Sequence, residues 1–149
     1  MASIPNTQTT EGVPTYLESG DPALHDYYPA WLDNLADDAT VEGSMLDGAV
    51  QGAEEVRSIV VAIRTLYGDS QEFHSVGPWG DDGFIEDYVA RVSGKPLGCV
   101  NLVIRNAAGQ TQHVVASYRP RSTVLLFSRL LAEKFAGTAI GEHFLASEC

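Results

Sequence analysis

Apolar residues near the start of the chain recur at the spacing of a helix. They occupy positions i, i+3, i+4, i+7, i+8 and i+11, namely Leu24, Tyr27, Tyr28, Trp31, Leu32 and Leu35. Asp21 followed by Pro22 is a favourable helix start, whereas Pro29 interrupts the stripe. The pattern predicts two short helices, or one kinked helix, ending near Asp37.

Further along the chain, a helical period is followed by a period of two. The spacing predicts a strand over 39–45, a loop over 46–50, a helix over 52–67, a strand from residue 72 to 76 or beyond, strands over 84–92, 97–105 and 111–119, and an amphipathic helix capped by Ser122 that runs through Phe135. Helices followed by a meander of strands are typical of an α+β fold. We expect a cone-shaped, cystatin-like α+β barrel, in which a curved mixed or antiparallel sheet wraps around the N-terminal helices. It would form one domain over 14–137, with a flexible arm over 1–13 and a tail over 138–149.

Composition excludes several classes of protein. A chain of 149 residues with 44% hydrophobic residues can build one sizeable core. No apolar run approaches a membrane span, and no basic leader precedes an apolar one, so we expect a cytoplasmic protein that does not bind membranes. A net charge of −11 argues against nucleic acid as a partner, because phosphate contacts need clustered Lys and Arg. Scattered Cys and His residues and the lack of a phosphate-binding loop predict no metal and no cofactor.

Strand alternation predicts which side chains share the interior of the sheet. A hairpin near Gly94 would place Tyr88 opposite Asn101 and Glu86 opposite Val103. The inward set is then Phe84, Glu86, Tyr88, Ala90, Val92, Cys99, Asn101, Val103, Arg105, Gln112, Val114, Ala116 and Tyr118. This face is the more polar one, so either it lines a cavity or a one-residue register error has exchanged the two faces.

The opposite face of the same strands is apolar. It carries Ile85, Val89, Val100, Leu102, Ile104 and Val115, with Asp87, Arg91 and His113 among them. An apolar outer surface of this kind is typical of an interface, and we predict a homodimer through it.

The order of elements, together with the segment Leu35-Ala-Asp-Asp-Ala-Thr-Val-Glu-Gly43 and the hairpin Ile104-Arg-Asn-Ala-Ala-Gly109, resembles the nuclear transport factor 2-like superfamily. That group includes ketosteroid isomerase-like and SnoaL-like proteins, and the likeness covers roughly residues 24–119. It implies the cone fold, a concave pocket and sheets paired back to back. The superfamily contains catalysts, binding modules and transport adaptors, so the fold alone implies no reaction.

The resemblance to ketosteroid isomerase does not extend to its catalytic residues. Its base follows the ATVE-like stretch, where this chain has Gly43, and its protonated Asp matches Asn101. Its helix tyrosine has no secure counterpart, although Tyr16, Tyr27 and Tyr28 are candidates. The resemblance therefore argues against steroid-type isomerisation.

Two residues are candidates for catalysis, and each has a second interpretation. Burial of Glu86 would disfavour its charged form, which suits a general acid or base; alternatively, Glu86 forms an inert ion pair with Arg105. His74 is a proton shuttle to Glu86 or Tyr88; alternatively, it lies at the surface, because Phe73 is the better inward residue of that strand.

Aromatic residues predict the walls of a ligand pocket, although core packing explains them equally well. The candidate lining residues are Tyr28, Trp31, Tyr88, Asn101, Val103, Val114 and Tyr118. The main hypothesis is a pocket protein for a small apolar or polyketide-like molecule, with proton transfer as its chemistry. The alternative is a non-catalytic dimeric ligand-binding or scaffolding module.

Overall fold

The fold is described from a computed structural model over residues 20–145. Two short 3-10 helices, Pro22–Leu24 and Ala30–Asp33, come first, and the further elements are β1 (Leu35–Gly43), β2 (Val50–Gln51), α1 (Ala53–Tyr67), β3 (Glu72–Trp79), β4 (Gly83–Val92), β5 (Lys95–Arg105), β6 (Thr111–Arg119), α2 (Arg121–Lys134) and α3 (Glu142–Leu145). The arm predicted over 1–13 lies outside the described residues.

The strands form one curved mixed sheet in the order β2-β1-β6-β5-β4-β3. β1 and β6 run parallel, and the other neighbouring strands are antiparallel. This confirms the α+β class. Within residues 20–145, no helix is long and apolar enough to cross a membrane.

The predicted faces of the meander are confirmed, but the predicted register is wrong by two residues. Glu86 pairs with Asn101, and Tyr88 pairs with Cys99. The turn is shorter than expected because Ser93 and Gly94, with φ of 52° and 76°, form a two-residue connection between Val92 and Lys95. A shift of two residues preserves the face of every side chain, so the predicted inward set keeps its orientation.

Of the two alternatives predicted before Asp37, two short helices form, but the predicted end near Asp37 is wrong because the second one ends at Asp33. Only short 3-10 helices form, and β1 begins at Leu35, because Pro29 divides the apolar stripe and Leu35 and Ala36 enter the sheet. Asp21 does act as a cap, since its carboxylate accepts a hydrogen bond from the backbone N–H of Ala23 at 2.9 Å.

Both long helices pack on the concave face of the sheet and close the core. Ile59 and Ile63 of α1 and Phe127 and Leu131 of α2 are buried there. The prediction that Ser122 caps α2 is wrong, because the helix already begins at Arg121 and no side chain caps it. α3 lies in the segment predicted as a tail.

The two edges of the sheet are short or covered. β2 has only two residues. At β3, the backbone N–H of Asp21 donates to the carbonyl oxygen of Phe73 at 2.8 Å, and Pro78 lies near the end of the strand.

Candidate functional site

Glu86 is the centre of a buried polar site on the concave face. It is 1% exposed, and it lies on β4 directly opposite Asn101 on β5. Its Oε2 accepts hydrogen bonds from the hydroxyl of Tyr27 at 2.6 Å and from Nε1 of Trp31 at 2.9 Å. Its Oε1 accepts one from Nδ2 of Asn101 at 3.1 Å. Three donors, two from the segment before β1 and one from β5, thus converge on one carboxylate.

None of these donors carries a positive charge. The ion pair between Glu86 and Arg105 that the sequence left open does not form among the described residues. The guanidinium group of Arg105 instead lies 5.3 Å from the ring centroid of Phe84. Hydrogen bonds from neutral groups therefore offset the cost of burying the Glu86 carboxylate.

Cys99 fixes the orientation of the Asn101 amide. Its thiol donates to Oδ1 of Asn101 at 3.4 Å, which leaves Nδ2 directed at Glu86. Burial raises the pKa of the Cys99 thiol to about 12. The sulfur consequently stays protonated at neutral pH and serves as a donor and not as a nucleophile.

Three tyrosine hydroxyls continue the polar site on the other side of Cys99. The hydroxyl of Tyr67 lies 2.7 Å from that of Tyr88 and 3.0 Å from that of Tyr118. Burial raises the pKa of all three well above the usual tyrosine value. They are neutral hydrogen-bonding groups over the whole physiological range, and they join α1 to β4 and β6.

A small cavity lies between Glu86 and these tyrosines. Its volume is about 30 Å³, which is room for about two water molecules. Five of the predicted pocket residues line it, namely Trp31, Tyr88, Asn101, Val114 and Tyr118. The interior of the cone is therefore almost filled by side chains.

Two predicted pocket residues lie elsewhere. Val103 is fully buried in the core and does not line the cavity. Tyr28 is 50% exposed, and the guanidinium group of Arg64 lies 5.8 Å from its ring centroid. Because Pro29 ends the helical stripe, Tyr27 turns inward and Tyr28 turns outward.

His74 is not among the groups that bond to Glu86. It is the extra residue of a bulge in β3, where Phe73 pairs with Tyr88 and Ser75 already pairs with Asp87. The bulge lets Phe73 and Val76 both pack on the core, with His74 between them and half-buried. The role of His74 as a proton shuttle stays a prediction.

The sequence named Tyr27 as a candidate counterpart of the isomerase tyrosine, and neither Tyr27 nor Tyr67 was among the predicted lining residues. Both belong to apolar helical stripes, where an aromatic residue is typical of ordinary packing. Their only signal was a hydroxyl group on an inward face, which in a core needs a partner. Over residues 20–145, no group of three or more His, Cys, Asp or Glu side chains is placed to hold a metal ion.

Comparison with known proteins identifies the fold. No family model and no curated protein matches this sequence. A protein from Silicibacter pomeroyi described as having a cystatin-like fold matches with a TM-score of 0.66 at 16% identity, over 73% of this chain and 76% of that one. A steroid delta-isomerase from Pseudomonas aeruginosa matches with a TM-score of 0.62 at 22% identity, over 77% of this chain and 86% of that one.

An NTF2-like protein from Anabaena variabilis matches with a TM-score of 0.50 at 13% identity, over 75% of this chain and 81% of that one. The chain has the nuclear transport factor 2-like fold. The NTF2-like cone and its curved sheet were both expected from the sequence, and the comparisons support them at the level of fold.

Gly43 shows how this NTF2-like domain departs from the isomerase pattern. A Cβ at this position would overlap the carbonyl oxygen of Ala116 on the neighbouring strand, so no side chain fits there without a shift of β1. The buried carboxylate of this NTF2-like domain comes from β4 instead.

Proposed function

We propose that this NTF2-like domain is a small-molecule pocket protein in which Glu86 accepts a proton from a flat, apolar or polyketide-like ligand. The observation that carries this proposal is a carboxylate 1% exposed, without a cationic partner among the described residues, at the wall of a cavity. A buried anion of this kind is unusual in a merely structural role, because a hydrophobic residue would fill the space at lower cost.

The surrounding groups suit proton transfer. Trp31 and Asn101 hold the carboxylate in place from buried positions, and Cys99 holds Asn101. The hydroxyl of Tyr88 lines the same cavity and stays protonated, so it is the group that would donate to a ligand carbonyl oxygen. A fixed acceptor and a fixed donor on either side of a ligand would let it lose a proton from carbon while its oxygen is stabilised.

One neighbour of the same fold is a steroid delta-isomerase. That activity belongs to that protein, and at 22% identity the likeness supports only the shared architecture.

A second candidate function is a non-catalytic dimeric module. The observation that favours it is the nearly filled cavity of about 30 Å³, together with a Glu86 whose two oxygens both already accept hydrogen bonds. In that case Glu86 ties Tyr27, Trp31 and β5 together and never meets a ligand.

Either function is compatible with a homodimer, which we propose to form through the convex face of the sheet. Ile85, Val100, Leu102, Ile104 and Val115 remain half-buried there, and no described element packs over them. The face carries one ion pair, between Arg119 and Asp87 at 3.6 Å.

Deuterium exchange of an enolisable ketone separates the two functions without knowledge of the natural substrate. We expect the protein to accelerate exchange of the acidic CH₂ protons of 2-tetralone in D₂O, followed by proton NMR, and to gain thermal stability from the ligand. Glu86→Gln should abolish the acceleration and keep the thermal shift. Glu133→Gln, which changes an exposed carboxylate on α2, should keep both. Exchange at the same rate in the Glu86→Gln variant would exclude Glu86 as the proton acceptor.

If 2-tetralone and related flat ketones neither exchange nor raise the melting temperature, the non-catalytic module is the better description. Glu86→Gln should then lower stability and have no other effect. The reason is that the new NH₂ group faces groups that donate hydrogen bonds to the carboxylate of the wild type.

A further inference from the structure

We propose that the natural ligand carries a phenolic or enolic hydroxyl group, enters from a surface groove and takes the place of the Tyr27 hydroxyl on Glu86. This inference rests on the proposed pocket function and names the ligand class for the same site. In this arrangement Tyr27 is an internal stand-in for the ligand and keeps the site closed until one arrives.

Space alone requires that a ligand displace a side chain. The cavity beside Glu86 has a volume of about 30 Å³, which holds water but no aromatic ring. Glu86 is 1% exposed, so no group reaches it from solvent past the present side chains. Any organic ligand that contacts Glu86 must therefore remove one of its neighbours.

Of the three donors to Glu86, Tyr27 is the one that can leave. Trp31 and Asn101 are 9% and 7% exposed, and Asn101 is held in the middle of β5. Tyr27 is half-buried and lies between the two short 3-10 helices, outside any long helix or strand. Its ring contacts Phe73 edge-on, with centroids 4.7 Å apart. The backbone hydrogen bonds around Tyr27 are local, such as the one from its own N–H to the carbonyl oxygen of Leu24 at 3.0 Å, so rotation of the side chain does not disturb the sheet.

Tyr27 also lies on the route from solvent to Glu86. It lines a surface groove of about 500 Å³. Pro29, Arg64 and Gln71 line both this groove and the cavity beside Glu86. Tyr27 lies on the groove side of these three residues, and its hydroxyl reaches Glu86, which lines the cavity. Movement of the Tyr27 side chain would therefore open a path from the groove to Glu86.

The chemistry of Tyr27 defines what can replace it. Burial and the contact with Glu86 raise the pKa of Tyr27 well above its usual value, so the group presented to the carboxylate is a neutral O–H on a flat ring. A ligand with the same group restores the lost hydrogen bond. A ligand that offers only a carbonyl oxygen would place lone pairs against a carboxylate and leave Oε2 one donor short.

The variant Tyr27→Ala tests this proposal, and the probe is 4-methylphenol, which has the structure of the deleted tyrosine side chain. We expect 4-methylphenol to bind the variant, measured by calorimetry, about tenfold more tightly than toluene, as befits a hydrogen bond to a charged group. The preference should disappear in the Tyr27→Ala, Glu86→Gln double variant. Tyr28→Ala, which removes the exposed neighbour, should bind 4-methylphenol no better than the wild type does.

A second measurement uses the wild-type protein and does not depend on the variant folding. The protein is labelled with 3-fluorotyrosine and followed by fluorine NMR, and the Tyr27 resonance is assigned by its loss in Tyr27→Phe. As 4-methylphenol is added, we expect only the Tyr27 resonance to move, towards the chemical shift of the exposed Tyr28. A Tyr27 resonance that stays in place at saturation overturns the proposal.

The remaining outcomes separate this inference from the proposed function. Equal binding of toluene and 4-methylphenol to Tyr27→Ala overturns the specificity for a hydroxyl group but agrees with the proposed pocket function. If Tyr27→Ala folds and binds neither compound, both the hydroxyl specificity and the pocket function fail.

Discussion

At Glu86, an amide, an indole and a phenol take the place that a cation has in most buried ion pairs. The arrangement depends on the orientation of the Asn101 amide, because Nδ2, and not Oδ1, must face the carboxylate. Cys99 supplies that choice through its thiol. The buried polar site is consequently sensitive to single changes that preserve size and alter only which atoms donate.

Exchanging acceptor and donor between positions 86 and 101 tests this dependence. We expect Asn101→Asp to destabilise the protein by about 3 kcal/mol, because it places two carboxylates side by side in the core. Glu86→Gln should cost less. The double variant restores one donor and one acceptor, so it should recover about 1–2 kcal/mol relative to the sum of the single changes. Urea unfolding of the four proteins measures the coupling, and simple additivity would show that the two side chains do not interact.

The thiol of Cys99 makes stability fall at high pH. Burial raises its pKa from 9.0 to about 12, so between these values the unfolded chain releases a proton that the native state keeps. The stabilisation is complete below pH 9 and is lost as the pH rises towards 12. We expect the free energy of unfolding to fall more steeply with pH in the wild type than in Cys99→Ala. The difference in slope should be up to about 1.4 kcal/mol per pH unit. Urea titrations between pH 8 and pH 10.5 compare the slopes, and parallel curves would contradict the assignment.

Among the larger elements, α2 closes the end of the core beside the tyrosines. Phe127 is fully buried, stacks on Tyr67 with centroids 6.0 Å apart and meets Tyr118 edge-on at 5.0 Å. We expect Phe127→Ala to cost about 3–5 kcal/mol in chemical denaturation. Leu125→Ala on the exposed side of the same helix should change stability by less than about 0.5 kcal/mol. Similar losses in both variants would contradict this assignment, because Ala is the best helix former and only Phe127 has buried contacts to lose.

The long elements were predictable from the sequence, and the short ones were not. α1 and the strands of the meander have strong hydrophobic periods. The faces of the strands were predicted correctly despite the wrong register, because the error was an even number of residues. The region before β1 has a helical stripe that Pro29 and the sheet override.

The candidate site follows the same division. Alternation along β4 and β5 was enough to place Glu86, Tyr88 and Asn101 together in the interior. Of the two donors from the irregular segment, Trp31 was predicted to line the pocket and Tyr27 was not, because local pattern does not tell which of two adjacent tyrosines turns inward. The bulge that displaces His74 likewise has no signature in its own sequence.

On the scale of the whole molecule, the proposed homodimer depends on the convex face of the sheet. We expect Leu102→Arg to convert a dimer into a monomer, because it places a charge from each subunit at the centre of an apolar interface. Val61→Arg, at an exposed position on α1, should leave the dimer intact. Sedimentation equilibrium of the three proteins at micromolar concentrations measures this. A wild type that is monomeric, or a Leu102→Arg variant that is still dimeric, rules out this interface.

The short and covered edges of the sheet bear on how the protein behaves when concentrated. A strand from another molecule needs a row of open backbone groups to pair with, and β2 offers two residues while β3 has Asp21 bonded to Phe73 and Pro78 near its end. The row of open backbone groups is therefore short at β2 and interrupted at both ends of β3, which disfavours side-by-side growth into fibrils. Crowded solutions of the native protein should therefore remain free of thioflavin-positive aggregates.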